Sequence, residues 1–133
     1  MFKAVINLYI NERRNADVTI LDLKGKLRVG GNAVALRRSI RALLLEKKIF
    51  ILLNLADVTF IDSCGLGELV ASQISVENKG GRITLVGLTE KLRELLEATR
   101  LLTAFDVFDN EADAMRNFAD HILTLKQTPL AFV

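Results

Sequence analysis

The chain has 133 residues, half of them hydrophobic and 26% charged, with a formal net charge of +2. This length and composition predict one domain over 1–133, with a core from about residue 3 to residue 123 and a C-terminal tail at 124–133. The small net charge, the lack of Trp and the single Tyr exclude the basic surface with stacking aromatics that binds single-stranded nucleic acid.

Membrane insertion and secretion are not expected either. No apolar run approaches the roughly 20 residues of a membrane-spanning helix, and the N-terminus alternates polar and apolar residues where a signal peptide would be continuously apolar. A single Cys permits no internal disulfide, which indicates the reducing cytoplasm.

The N-terminal segment predicts a β-hairpin. Residues 3–10 and 18–23 alternate apolar and polar side chains, which is the period of a half-buried strand. The polar segment 11–17 predicts the turn between them, and Gly25 predicts the end of the second strand.

An amphipathic helix with a basic outer face is predicted next. Asn32 is a candidate N-cap. The apolar residues after it recur at helical spacing: Ala33, Leu36, Ile40, Leu43 and Leu44. Three arginines fall outside that apolar stripe: Arg37, Arg38 and Arg41.

The middle of the chain predicts a buried strand, a turn and a helix. The continuous apolar run 50–53 indicates a central strand covered on both faces. The turn 60–67 reads FIDSCGLG. The helix after it places four residues inward and ends at Gly80 and Gly81: Leu66, Leu69, Val70 and Ile74.

The C-terminal half continues the alternation of strands and helices. A strand is predicted at 82–86, a helix capped by Thr89, a short strand at 105–108 and a helix at 111–123. Four residues share one face of the helix capped by Thr89: Leu92, Leu95, Leu96 and Thr99. Four residues of the last helix are predicted to point inward: Ala112, Met115, Ala119 and Ile122.

These elements predict an α/β fold, with a mixed β-sheet, an N-terminal antiparallel hairpin and about four helices. Loops at the carboxyl ends of parallel strands form the usual functional edge of such sheets, and the turn 60–67 leaves the strand predicted to be central. The turn is therefore the candidate functional site.

Enzyme, cofactor and metal chemistry are not supported at this turn. Ser63 lacks the flanking Gly of a nucleophile elbow, and Cys64 has only the distant His121 as a base. Cys64 is more simply a small buried hydrophobic residue. The glycines match neither phosphate-binding pattern. One Cys and one His cannot build a zinc site, and Asp22, Asp57 and Asp62 are expected to be caps or turn residues.

Two interpretations of the residues in this turn remain. Asp62 and Ser63 can simply cap the helix. However, Gly65 and Gly67 in a first helical turn each cost roughly 1 kcal/mol relative to Ala, which indicates a close approach to the backbone there. An approaching macromolecule would leave Ser63 accessible to a kinase.

The segment 54–70, NLADVTFIDSCGLGELV, resembles the signature of STAS domains, specifically the bacterial anti-sigma-factor antagonists. Segment 18–27 resembles the second strand of that family, segment 80–101 its later strand and helix, and segment 105–118 its closing strand and helix. The resemblance implies that Ser63 is a phosphorylation site, with Cys64 replacing the family's usual second Ser or Thr.

The resemblance further implies a switch. The unphosphorylated protein would bind an anti-sigma factor that is itself a serine kinase, and so release a sigma factor; a serine phosphatase would reset it. The expected partner-binding residues are Asp62, Ser63, Cys64, Gly65, Leu66, Gly67 and Arg28.

Some alternatives stay open. Arg28 stands where many family members have an acidic residue, so Arg28, Arg37, Arg38 and Arg41 form either a solvated face or a site for an acidic partner. A STAS scaffold subunit without a switch is the second functional hypothesis. The tail suggests either a frayed end or a homodimer contact.

Overall fold

Strands and helices alternate after an initial hairpin in the computed structural model, which describes residues 8–127. The elements are β1 (Leu8–Asn15), β2 (Val18–Leu27), α1 (Gly31–Leu45), β3 (Phe50–Ile61), α2 (Ser63–Asn78), β4 (Arg82–Val86), α3 (Glu90–Ala98), a 3-10 turn (Leu102–Ala104), β5 (Asp106–Phe108) and α4 (Glu111–Gln127). The sheet order is β1-β2-β3-β4-β5, with β1 antiparallel and the other pairs parallel. The predicted α/β fold is confirmed, and β3 is central.

The sheet separates two hydrophobic cores. Ile51 and Leu53 of β3 enter the larger core, which includes buried residues of α1, α2 and α3. Leu52 lies between them in sequence and enters the smaller core with Ala114 and Phe118 of α4. Because alternate strand residues point to opposite faces, a strand covered on both sides must be apolar at every position. The apolar run 50–53 therefore correctly indicated a buried strand.

The predicted turn of the hairpin was wrong. Residues 11–15 belong to β1, and the register Asn15↔Val18 leaves only Ala16 and Asp17 as the turn. β1 is an edge strand whose residues from Asn11 onward are exposed, so a polar composition is compatible with strand structure there. β2 also continues past Gly25, where positive φ and a register shift mark an irregularity rather than an end. The predicted strand residues 3–7 lie outside the described residues.

Arg13 of β1 organises a polar network across the hairpin and α4. Its Nε donates to Asp22 Oδ2 (2.6 Å), its Nη2 donates to Glu111 Oε1 (2.7 Å), and Asn54 Nδ2 donates to Asp22 Oδ1 (2.8 Å). The hydrogen bonds from Arg13 lower the pKa of both carboxyl groups.

The prediction that Asp22 and Asp57 are cap or turn residues was wrong. Asp22 lies within β2 and Asp57 within β3.

The network around Arg13 predicts acid sensitivity. Because the folded-state pKa of Asp22 and Glu111 is depressed, their contribution to stability is present above the unfolded-state pKa and is lost as the pH falls through the folded-state value. We expect the free energy of unfolding, from urea titrations between pH 7 and pH 3, to fall less steeply with acid in Arg13→Met than in the wild type. Arg116→Met, which removes an exposed pair with Asp113 inside α4, should retain the wild-type slope; equal slopes in all three proteins would contradict the prediction.

Asn32 does not cap α1. The cap position belongs to Gly30, with no side-chain cap bond, and Asn32 is buried inside the helix. Its Nδ2 donates to the Lys26 carbonyl oxygen over 2.7 Å. The amide therefore ties α1 to β2, because a buried amide requires a partner.

Two predicted helix faces were partly wrong. In α2, Ile74 is 53% exposed, and Ser72 and Val76 are buried instead. In α4, Ala112 and Ala119 are exposed, and the buried residues are Ala114 and Phe118. The rest of each predicted face is confirmed: Leu66 and Leu69 of α2 are buried, and Met115 and Ile122 of α4 pack against the smaller core. α4 also includes residues 124–127 of the predicted tail, and residues 128–133 lie outside the described part of the chain.

Candidate functional site

The turn between β3 and α2 is held by one carboxylate, that of Asp62. Its Oδ1 accepts from the Gly65 backbone N–H (2.9 Å) and caps α2, as predicted; its Oδ2 accepts from the Val29 backbone N–H (3.0 Å) in the β2–α1 loop. The Asp62 N–H donates to the Leu27 carbonyl oxygen (3.2 Å). The hydrogen bonds from Gly65 and then Val29 lower the pKa of the Asp62 carboxyl, so a fixed negative charge adjoins the start of α2 at neutral pH.

Ser63 and Cys64 are the first two residues of α2, and both are exposed. The prediction that Cys64 is a buried hydrophobic residue was wrong, because its side chain leaves the helix on the solvent side. The Ser63 hydroxyl therefore lies at a helix N-terminus, where unpaired backbone N–H groups and the helix dipole favour an anion.

The two glycines of the turn have different structural roles. A Cβ on Gly65 would lie 2.1 Å from the Leu27 carbonyl oxygen, whereas a Cβ on Gly67 would meet nothing within 4 Å. The close approach inferred for Gly65 is therefore internal, by β2. Gly67 is exposed and leaves the backbone of the first helical turn open to solvent.

The remaining predicted residues divide between the core and the surface. Leu66 is only 8% exposed and belongs to the larger core, so it anchors the turn. Arg28 is half-buried in the β2–α1 loop, beside the residue that bonds Asp62. Arg37 pairs with Glu68 of α2, and Arg41 lies one turn further along α1. The structure therefore brings only Arg28 of the four arginines to the loop that contacts the turn.

Two surface features next to the turn were not predicted. Val29 is 65% exposed beside Asp62. A groove of about 260 Å³ starts at Ile61 and runs between the end of β3 and α3. Its lining is mainly apolar: Val58, Thr59, Phe60, Ile61, Thr89, Lys91, Leu92 and Leu95. No local sequence pattern predicts the exposed Val29 or the groove, because each lies where segments about 30 residues apart come together. One indication of the groove was present in the sequence: Phe60, a large apolar residue outside the predicted strand.

The site offers backbone donors, a hydroxyl, a thiol and a carboxylate. Across residues 8–127, no group of three or more His, Cys, Asp or Glu side chains is placed to hold a metal ion. Within the same range, no helix is both long enough and apolar enough to cross a bilayer.

Comparisons with known proteins identify the family of this chain. The family model described as "STAS domain" matches residues 9–114. The anti-sigma F factor antagonist of Paenibacillus polymyxa is 26% identical over 110 residues, covering 83% of this chain and 94% of the relative. The anti-sigma-B factor antagonist of Bacillus subtilis (strain 168) is 28% identical over 102 residues, covering 77% and 92%. The chain belongs to the STAS domain family.

Solved structures show the same fold. A crystal structure from Thermotoga maritima has a TM-score of 0.73 and 28% identity, covering 81% of this chain and 92% of that chain. The phosphorylated form of the Bacillus cell fate determinant SpoIIAA has a TM-score of 0.66 at 18% identity, covering 83% and 99%. A sulfate transporter family protein from Wolinella succinogenes has a TM-score of 0.70 at 24% identity, covering 83% and 90%. The last two, at this level of identity, show the fold alone.

Proposed function

We propose that this chain, acting as a single domain over 1–133 in the cytoplasm, is an anti-sigma factor antagonist. Unphosphorylated, it binds an anti-sigma factor serine kinase through the turn 62–67 and so releases the sigma factor. Phosphorylation of Ser63 ends the binding, and a serine phosphatase restores it. The observation that carries the proposal is the exposed hydroxyl of Ser63 at the first residue of α2. The names of the two curated relatives support the general role.

The charges around Ser63 support a switch by electrostatic repulsion. A phosphate adds about −1.5 to −2 charges and three acceptor oxygens. Within the isolated protein, the N-terminus of α2 accommodates that anion. In a complex, the same charge would be desolvated next to the ionised Asp62 carboxylate, which costs free energy unless the partner supplies a cation. Phosphorylation is therefore tolerated by the fold and disfavours the complex.

Phosphate transfer to Ser63 is the direct test. The purified protein is incubated with ATP and, in turn, with each anti-sigma factor serine kinase of the same genome, and its intact mass is measured. We expect one added phosphate, mapped to Ser63 by peptide mass spectrometry and absent from Ser63→Ala. Thr103→Ala, which removes an exposed hydroxyl in the turn before β5, should accept phosphate like the wild type. A phosphate on another residue would overturn the assignment.

A STAS scaffold without a switch is the second candidate. The same fold occurs in the sulfate transporter family protein of Wolinella succinogenes, so the fold by itself does not select the switch over the scaffold. In that case Ser63 would carry no phosphate in protein purified from its own cells, and Ser63→Asp would bind its partners like the wild type.

A further inference from the structure

A second concave surface lies at the end of the helices opposite Ser63. It runs between the C-terminal halves of α1 and α2, has a volume of about 400 Å³, and is here named the α1–α2 groove. Its lining residues are Arg41, Leu44, Leu45, Ser75, Asn78 and Lys79. Ser75 is twelve positions after Ser63 in α2, which corresponds to about 18 Å along the helix axis.

The α1–α2 groove carries positive charge without a counter-charge. Neither Arg41 nor Lys79 forms an ion pair with any residue between positions 8 and 127, and no carboxylate lines the groove. Nearer Ser63, by contrast, Arg37 is neutralised by Glu68, whose Oε1 accepts from Arg37 Nε over 3.3 Å. An anionic ligand would therefore be attracted to the C-terminal half of the helix pair and not to the half beside the turn.

An exposed apolar residue adjoins these cations. Leu45 is 85% exposed, the most of any large hydrophobic residue in the described chain. Lys79 also follows the C-terminus of α2, where a cation favourably opposes the helix dipole. The interaction with the helix dipole accounts for Lys79, but not for the unpaired charge of Arg41 or the exposure of Leu45. Together the three residues form a concave surface with a cation on each helix and an apolar edge.

We propose that the α1–α2 groove binds an acidic amphipathic helix of another protein. A helix seats its ridge of side chains between two neighbouring helices, so a leucine of the ligand would cover Leu45 while its glutamates face Arg41 and Lys79. A bilayer surface is flat and fits a concave groove less well. This inference goes beyond the proposed switch, because the groove is remote from Ser63 and could be occupied whether or not Ser63 is phosphorylated.

A second copy of this chain is a less suitable ligand. In its helix α4, Glu111 and Asp113 are already paired with Arg13 and Arg116. Its other helix with three acidic residues is α3, whose exposed face bears Glu90, Glu94 and Glu97. The apolar residues Leu92 and Leu96 of α3 are buried in its own core, so that helix offers too little apolar surface to cover Leu45. A separate helix with a free apolar face satisfies both requirements.

A designed peptide tests the proposal with the full-length protein. The probe is a 16-residue capped helix with leucine along one face and glutamate on both flanks, added to the isotope-labelled protein and followed by NMR chemical shifts. We expect salt-dependent binding, with the largest shifts at Arg41, Leu45 and Lys79. Affinity should fall at least about tenfold in Arg41→Glu/Lys79→Glu and severalfold in Leu45→Ser. Ser63→Asp should bind the peptide like the wild type.

Matched controls identify the outcomes that would overturn the proposal. Lys24→Glu/Lys26→Glu changes the net charge by the same amount on an exposed part of β2 and should retain peptide binding. An equal loss of affinity in both double variants would show that binding depends on net charge and not on the groove. A peptide of the same composition with scattered leucines should bind poorly. Absence of probe binding at low salt would refute the proposal. Groove-dependent binding to anionic phospholipid vesicles, or groove-dependent self-association in sedimentation, in place of peptide binding would assign the surface to a membrane or to a second copy.

Discussion

Ser63→Asp is expected to bind the anti-sigma factor kinase at least about tenfold more weakly than the wild type, while Ser63→Ala binds like the wild type. The substitution places a second carboxylate next to Asp62, whose pKa is already lowered by the hydrogen bonds from Gly65 and Val29. Like charges brought together in an interface cost up to several kcal/mol, and a tenfold change in affinity corresponds to about 1.4 kcal/mol. Titration calorimetry with unphosphorylated proteins measures the difference.

The stability of the same variant separates a switch from damage to the fold. An aspartate in the first turn of a helix interacts favourably with the helix dipole, so the Tm of Ser63→Asp should equal or slightly exceed that of the wild type. Thr103→Asp adds the same charge in the turn before β5. That turn lies where the parallel strands begin, whereas Ser63 lies where β3 ends, so Thr103→Asp should retain wild-type affinity. Equal kinase affinities for Ser63→Asp and Ser63→Ala would remove the electrostatic explanation.

Gly65→Ala is expected to destabilise the protein by about 1–3 kcal/mol, although alanine normally favours a helix over glycine. The new methyl group would lie 2.1 Å from the Leu27 carbonyl oxygen. Main-chain atoms cannot rotate away as a side chain can, so the start of α2 would have to shift. That shift would also strain the hydrogen bond from the Gly65 N–H to Asp62. Urea unfolding monitored by circular dichroism gives the free energy.

Gly67→Ala is the matched control. It lies two residues further along the same helix, and a Cβ there would meet nothing within 4 Å. Because helix propensity then dominates, we expect it to stabilise the protein by about 0.4–1 kcal/mol. Opposite signs for the two variants would support the internal role of Gly65. If Gly65→Ala were as stable as the wild type, the contact with β2 would not constrain this position.

The fold was largely predictable because its strongest signals are local. Helical periodicity located the four helices within residues 8–127, and the continuous apolar run 50–53 located the central strand. The cap residues Asp62 and Thr89 accept from Gly65 and Leu92 as their positions predicted. Polar residues were misleading at Asn32, which is buried inside α1 instead of capping it, and in the paired strand β1. Residues 11–15 were predicted to be a turn because an edge strand needs no buried face, and its polarity resembles that of a loop.

The site was predictable only in part, because two of the three hydrogen bonds described for Asp62 are non-local. Ser63 is exposed, as predicted, but the close approach at Gly65 from which its accessibility was inferred is made by β2 and not by a partner. The hydrogen bond from Val29 to Asp62, by contrast, spans 33 residues. Outside the turn, Lys79 and Arg41 line the same groove only because α1 and α2 pack side by side. Sequence spacing within one element cannot reveal such pairs. The basic face predicted on α1 is likewise altered by a non-local contact, because Glu68 of α2 neutralises Arg37.

The bond between Asp62 and Val29 uses a main-chain N–H and leaves the Val29 side chain facing solvent. The architecture of the turn is therefore insensitive to which side chain occupies position 29. A substitution at position 29 would therefore change the surface beside Ser63 while keeping the main-chain bond that positions Asp62. Under the function proposed above, partner preference at position 29 and the switch at position 63 could then change independently.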